Sequence, residues 1–348
     1  MVYLRVIFVI SLFISSIPLY GFPYIRQTID TAVLDLAWSP SGGQYAIAYR
    51  DGTIAIYNLD GDLSLNIFAH SLPENVRSSG NVAYAGAIAW SPDGTLLATS
   101  GSDNLVKIWQ TETGELVAEL SGHIDAYLLS WSPDGTRFIS NSINNTRLWN
   151  SQTWEYIDTL PWATVADFEW RSDGTELAVG TTNNLLLVDN DTIGSLEEIQ
   201  VLEEITGQVY EVAWLPDGMR LITTSQDRIV RIWDMESGTI LSLLGEYEGD
   251  PYEAAVSPDG RYIAFNSVNE NYTDETVNST LYILNIETGE EVAAISYPGL
   301  SLRRVDWNPD GSVIALALND FYQENGTVEL LPVEPLLGEI PAPVSDEE

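Results

Sequence analysis

An all-β chain of seven repeated four-stranded antiparallel units is the fold class this sequence predicts, and three observations predict it. A six-residue motif recurs seven times: "AWSPSG" at Trp38, "AWSPDG" at Trp90, "SWSPDG" at Trp131, "EWRSDG" at Trp170, "AWLPDG" at Trp214, "AVSPDG" at Val256 and "DWNPDG" at Trp307. Successive copies lie 52, 41, 39, 44, 42 and 51 residues apart, close to the roughly 40 to 45 residues of a four-stranded propeller blade. Between the copies, short β-branched and aromatic runs alternate with Gly, Asp, Asn and Ser clusters, and no segment carries a long helical period. The expected architecture is a seven-bladed β-propeller over residues 22–332.

The elements follow in order along the chain. Residues 1–21, "MVYLRVIFVISLFISSIPLYG", have one basic residue, Arg5, then an apolar stretch, then Pro18 and small or turn-forming residues. This is the layout of a signal peptide, too short for a comfortable membrane span of roughly 20 apolar residues. The expectation is a secreted or extracytoplasmic protein, the alternative being an uncleaved membrane anchor. Within each repeat an apolar segment such as "VYEVAW" leads into the Asp-Gly turn, where Gly accepts positive φ and Asp can bond its own backbone. A strand such as "RLITTS" follows, then one such as "IVRIW", then a Thr-Gly or Ser-Gly turn and a last strand such as "ELVAEL". After the last inner strands, "TVELL" runs into a proline-rich segment, which is a poor strand. The N-terminal "YIRQTI", residues 24–29, is therefore expected to supply the outer strand of the last blade and close the ring. Residues 333–348 are expected to be an acidic, Pro-rich tail.

These residues resemble the WD-repeat family of β-propellers, and the resemblance covers nearly all of residues 22–332. Relative to Trp90, Thr99 lies at +9, Asp103 at +13 and Trp109 at +19; relative to Trp214, Thr223, Asp227 and Trp233 fall at the same offsets. The third copy offers His123, Ser140, Asn144 in place of Asp, and Trp149. In the family such residues form a hydrogen-bonded set that ties a blade together, and a buried Trp N–H and a turn Asp both require partners. His70 is a candidate for the second copy. Only Trp233-Asp234 spells the eponymous dipeptide, and Ile47, Phe265 and Leu316 replace the polar +9 residue in copies one, six and seven, so those blades are expected to rely on apolar packing.

Composition removes several functions. The chain has 51 Asp and Glu against 14 Lys and Arg, a net charge of -37, which repels nucleic acid and anionic membrane surfaces. The absence of cysteine excludes disulfides and thiolate chemistry. No nucleophile elbow, phosphate-binding glycine loop or metalloprotease helix is present. The two histidines read as structural turn partners rather than metal ligands, and "NENYTDE", residues 269–275, reads as a solvated acidic loop rather than a calcium site. No catalytic residue, metal or cofactor is expected.

Function in such a ring belongs on loops. Three connections are long, 71–84, 268–279 and 319–326, and the order of strands brings them to one face. They carry Tyr84, Tyr272, Phe321 and Tyr322, aromatic types enriched at interfaces, and the basic pair Arg303-Arg304 lies nearby. The expected function is a monomeric, non-catalytic scaffold that binds a protein or peptide through this face. The alternative is a carbohydrate-binding or glycoside-hydrolysing propeller using carboxylates at the central opening.

Overall fold

The computed structural model describes residues 25–337 except 73–82, 163–164, 183, 194–198, 203–204, 248, 272–275, 321 and 323. Seven four-stranded antiparallel sheets make up the fold. The innermost strands of blades one to seven are Val33–Trp38, Ala85–Trp90, Ala126–Trp131, Val165–Trp170, Val209–Trp214, Ala254–Val256 and Leu300–Trp307. Each precedes its blade's other strands in sequence, except that the last blade takes its outermost strand, Ile25–Ile29, from the chain's start. That strand pairs with Gly326–Pro332 in a register from Ile25 opposite Leu330 to Ile29 opposite Gly326.

The recurring motif builds the turn between the first and second strand of every blade. In the second blade Gly94 N–H donates to Ser91 O at 2.8 Å, and Asp93 Oδ1 accepts from Ser91 Oγ at 2.6 Å and Thr95 N at 3.0 Å. The closing glycine has φ between 65° and 75° in all seven turns, a region that costs other residues energy. In six blades that glycine also lies against the proline of the preceding blade's turn, as Gly260 does against Pro216 and Gly42 against Pro309. The turns therefore interlock around one face.

The core lies between blades. Ala46, Ala48, Ile54 and Ile56 of blade one pack with Ile88, Trp90, Leu97 and Trp109 of blade two, and similar clusters fill the other junctions. Ile47, Phe265 and Leu316 are each 0% exposed, so apolar packing occupies the +9 position in blades one, six and seven. Strands alternate between neighbours in this way because each sheet has two apolar faces to cover.

Three boundaries differ from the sequence reading. The expected connection 268–279 is mostly strand: Tyr262–Asn271 pairs with Thr276–Asn285 along ten residues each. The expected loop 319–326 is likewise shortened by strands Val313–Asp320 and Gly326–Pro332. Buried Val268, Val277 and Ser279 supply an inward face that polar composition disguised. The tail also begins later than expected: Val333 is buried, and Leu336 and Leu337 of the short helix Glu334–Leu337 pack on the junction of blades six and seven.

Candidate functional site at the channel mouth

Two kinds of polar assembly are built into the ring. The first ties individual blades. In blade two, His70 Nδ1 lies 2.7 Å from Asp103 Oδ1, His70 Nε2 2.8 Å from Thr99 Oγ1, and Trp109 Nε1 donates to Thr99 Oγ1 at 2.9 Å. Lys107 Nζ, 2.7 Å from Asp103 Oδ2, joins the set. In blade three, His123 Nε2 and Trp149 Nε1 meet Ser140 Oγ at 2.8 and 2.7 Å. There Asn144 reaches the histidine only through Ser142 Oγ, which donates to Asn144 Oδ1 at 2.6 Å. Blade five has no histidine: Trp233 Nε1 donates to Thr223 Oγ1 at 3.0 Å, while Arg231 pairs with Asp227 at 2.5 Å. Burial and the Arg147 charge push His123 down to about 4, so it stays neutral at physiological pH.

The second assembly surrounds the central channel; the sequence reading placed carboxylates at the central opening only in its alternative and named none of them. The innermost strand is an edge strand, and its outward N–H groups need acceptors. In the column three residues before the motif tryptophan, the seven blades carry Asp35, Ala87, Leu128, Asp167, Glu211, Glu253 and Arg304. One residue before it, blades four and seven carry Glu169 and Asp306. The six acids and Arg304 line a cavity of about 320 Å³.

Four of the acids accept backbone N–H groups across a junction. Asp35 Oδ2 takes Ile88 N at 2.8 Å, Asp167 Oδ2 takes Val212 N at 2.9 Å, Glu169 Oε2 takes Trp214 N at 2.6 Å, and Asp306 Oδ2 takes Trp38 N at 3.1 Å. Arg304 bridges Asp35 and Glu253, each at 2.5 Å. Burial pushes Glu169 up to about 8 and Glu253 and Asp306 to about 7, and it raises Asp167 and, well beyond the usual carboxylate range, Glu211. Neighbouring carboxylates add to the effect at Glu211.

Tryptophans reinforce the same junctions. Nε1 of Trp38, Trp90, Trp131, Trp214 and Trp307 donates to the carbonyl of Asp306, Ala37, Ala89, Glu169 and Ala255 in the preceding blade, at 3.0–3.2 Å.

Above the acids, most innermost strands carry a β-bulge, with Tyr127, Tyr210 and Arg303 as the extra residue in blades three, five and seven. A bulge re-aims side chains. Tyr127 Oη reaches Val165 O at 2.9 Å, and the Tyr210 ring lies 4.6 Å from that of Tyr252. The mouth thus has an aromatic rim on the face carrying the long connections. Of the exposed large apolar side chains among the described residues, Ile124, Tyr127, Ile143, Tyr252 and Tyr322 lie on this face, Met219 lies on the opposite face, and the remainder lie on outer strands.

Among the sequence-predicted interface residues, Tyr84 is half-buried beside the second blade's innermost strand and Tyr322 is 62% exposed in its turn. Tyr272 and Phe321 lie outside the described residues. Arg304, grouped by the sequence reading with the partner-binding face, lies in the channel instead, where Asp35 and Glu253 hold it.

Comparison with known proteins follows this geometry. Residues 25–58, 75–110 and 196–234 match the WD40 family model, described as WD domain, G-beta repeat. The mouse F-box-like/WD repeat-containing protein TBL1X is 24% identical over 292 residues, 67% of this chain and 55% of that protein. Protein HIR1 of Cryptococcus neoformans is 30% identical over 217 residues, 51% of this chain and 24% of its own. THO complex subunit 3 of Arabidopsis thaliana is 23% identical over 299 residues, covering 83% and 87% of the two chains. The chain spans about half or less of the length of the first two relatives. Among solved structures, the β-propeller domain of Cps50 (Swd1) from Myceliophteria thermophila superposes with a TM-score of 0.70 at 18% identity, over 87% of this chain and 99% of that one. The relatives are intracellular proteins, which overturns the expectation of a secreted or membrane-anchored protein drawn from residues 1–21.

Proposed function

We propose that this chain, a seven-bladed WD-repeat β-propeller, is a non-catalytic platform that binds a protein partner across the face bearing the channel mouth. The observation that carries this reading is the uneven distribution of exposed apolar side chains, with Ile124, Tyr127, Ile143, Tyr252 and Tyr322 on that face against Met219 on the other. Aromatic side chains around a depression are the anchors that protein interfaces use. The relatives' names point the same way, since one is a subunit of a complex. A net charge of -37 favours a partner segment of positive charge and opposes nucleic acid, and association should slow as salt is raised.

A glycoside-hydrolysing channel is less well supported. Such chemistry needs two free carboxyl groups facing a substrate, whereas Asp35, Asp167, Glu169 and Asp306 accept backbone N–H groups and Glu253 pairs with Arg304.

The test is affinity capture with the wild type, with a Tyr127→Ala, Tyr210→Ala, Tyr252→Ala variant, and with Met219→Ala on the opposite face. A partner retained by the wild type and Met219→Ala but lost by the triple variant supports the face. Equal capture by all three proteins overturns it.

A further inference from the structure

The seven junctions of the ring are not equivalent. Five have the tryptophan bond described above. At the junction of blades three and four Trp170 Nε1 has no partner, but Tyr127 Oη and Arg137 still reach across to Val165 O and Asn190 O. At the junction of blades five and six the tryptophan itself is gone. Val256 stands in its place and has no side-chain N–H to offer the Ala213 carbonyl. Blade six contributes an innermost strand of three residues, Ala254–Val256, and among the described residues no hydrogen bond joins it to the innermost strand of blade five.

What remains there is a rim and an apolar layer. Asp250 takes Tyr210 Oη at 3.4 Å and Arg228 Nε at 3.1 Å, the Tyr210 ring packs at a tilt against Tyr252, and Ala213, Leu215 and Ile222 pack with Ala254, Ile263 and Phe265 below. Between these layers two acids occupy equivalent positions on adjacent blades, Glu211 on blade five and Glu253 on blade six. Arg304 is engaged on the far side, held by Glu253 and Asp35.

We propose that the junction of blades five and six is a proton-sensitive hinge, the joint of the ring that loosens when Glu211 ionises beside Glu253. The charged groups facing Glu211 are Asp167 and Glu169 from blade four, Glu253 from blade six and Arg304 from blade seven; Asp306 and Asp35 lie further round the same cavity, and blades two and three present Ala87 and Leu128 at that level. Three facing acids against one guanidinium make ionisation of Glu211 repulsive, and among the described residues no hydrogen bond or ion pair holds its carboxylate in place. The other junctions are tied by a tryptophan bond, a carboxylate-to-backbone bond or, between blades three and four, the Tyr127 and Arg137 bonds to backbone carbonyls, whereas this one has only side-chain packing and the rim. The hinge lies under Tyr210 and Tyr252, so its state sets the spacing of the aromatic rim whichever partner binds there.

Hydrogen exchange read by mass spectrometry tests this on the intact chain, at about pH 5 and about pH 8.5 with labelling times scaled to intrinsic exchange. In the wild type, protection of residues 209–214 and 254–256 should fall about tenfold or more at the higher pH, the change one pK unit of differential proton binding produces. Protection of Val33–Trp38 and Leu300–Trp307 should hold. Glu211→Gln should abolish the fall, and Glu119→Gln, on an exposed strand, should leave it intact. Loss spread evenly over all junctions, no loss in the wild type, or an unchanged loss in Glu211→Gln would each overturn the hinge.

Discussion

At the scale of single residues, Thr99 holds the most. Its hydroxyl receives the Trp109 N–H and reaches the His70 ring, whose other nitrogen meets Asp103. All of this is sealed, with Thr99 and His70 both 0% exposed. Thr223 has the same place in blade five but serves Trp233 alone. Thr99→Val should therefore cost about 2 to 4 kcal/mol, because two buried groups lose their partner, and Thr223→Val about 1 to 2 kcal/mol. Urea denaturation of the two variants measures the difference, and equal losses would contradict the relay. These hubs were legible in the sequence because Thr, Asp and Trp fall at fixed offsets from the motif. The channel acids stand in equally regular columns, three residues and one residue before the motif tryptophan. They went unread because their partners lie on the neighbouring blade, about one repeat away, so nothing near Asp167 or Glu211 in the chain announces the contact.

At the scale of elements, turns and edge strands decide what can be altered. Gly94 closes its turn at φ 72°, so Gly94→Ala should destabilise the protein by about 1 kcal/mol, visible as a lower melting temperature. Deleting Ile25–Ile29 uncovers the Gly326–Pro332 edge and removes Ile25 and Ile29 from the core of the first and last blades. Deleting 338–348 leaves Val333, Leu336 and Leu337 in their packed positions. The first deletion should lower the melting temperature far more than the second, and equal effects would show that the strand does not hold the ring. Strand order and turn positions were legible from the repeats. The length of the blade-six hairpin was not, because Asn, Asp and Glu are weak strand formers judged singly, and only the inward alternation of Val268, Val277 and Ser279 carries the signal.

For the whole molecule, the channel acids and the turn acids pull stability in opposite directions with pH. Glu169, Glu253 and Asp306 keep their protons in the folded state up to about 8, 7 and 7, against ordinary values of 4.5, 4.5 and 3.8. Between those limits the native state binds more protons than the unfolded chain, so their contribution is fully present below the ordinary values and is lost as pH rises through the raised ones. Asp103 and the turn acids Asp93 and Asp134 are held below the ordinary range, Asp93 by its Ser91 bond and the others by hydrogen bonds that outweigh burial. Their contribution is present above that range and lost as pH falls. The melting temperature should accordingly peak near about pH 5 and decline toward about pH 8.5. Glu169→Gln should flatten the decline, and a melting temperature that rises over that interval would contradict the assignment.

The last blade draws its outermost strand from residues 25–29 and its other three from residues 300–332. During synthesis, about 300 residues must leave the ribosome before Ile25 can meet Leu330, a wait of roughly 15 to 60 s at about 5 to 20 residues per second. Through that interval the finished blades form an arc with two raw ends. The apolar flanks of the first and last blades, Ile47 and Val313 among the residues awaiting cover, are then open to whatever is nearby. For this chain the hazard of aggregation is a property of timing, greatest just before the final strands emerge.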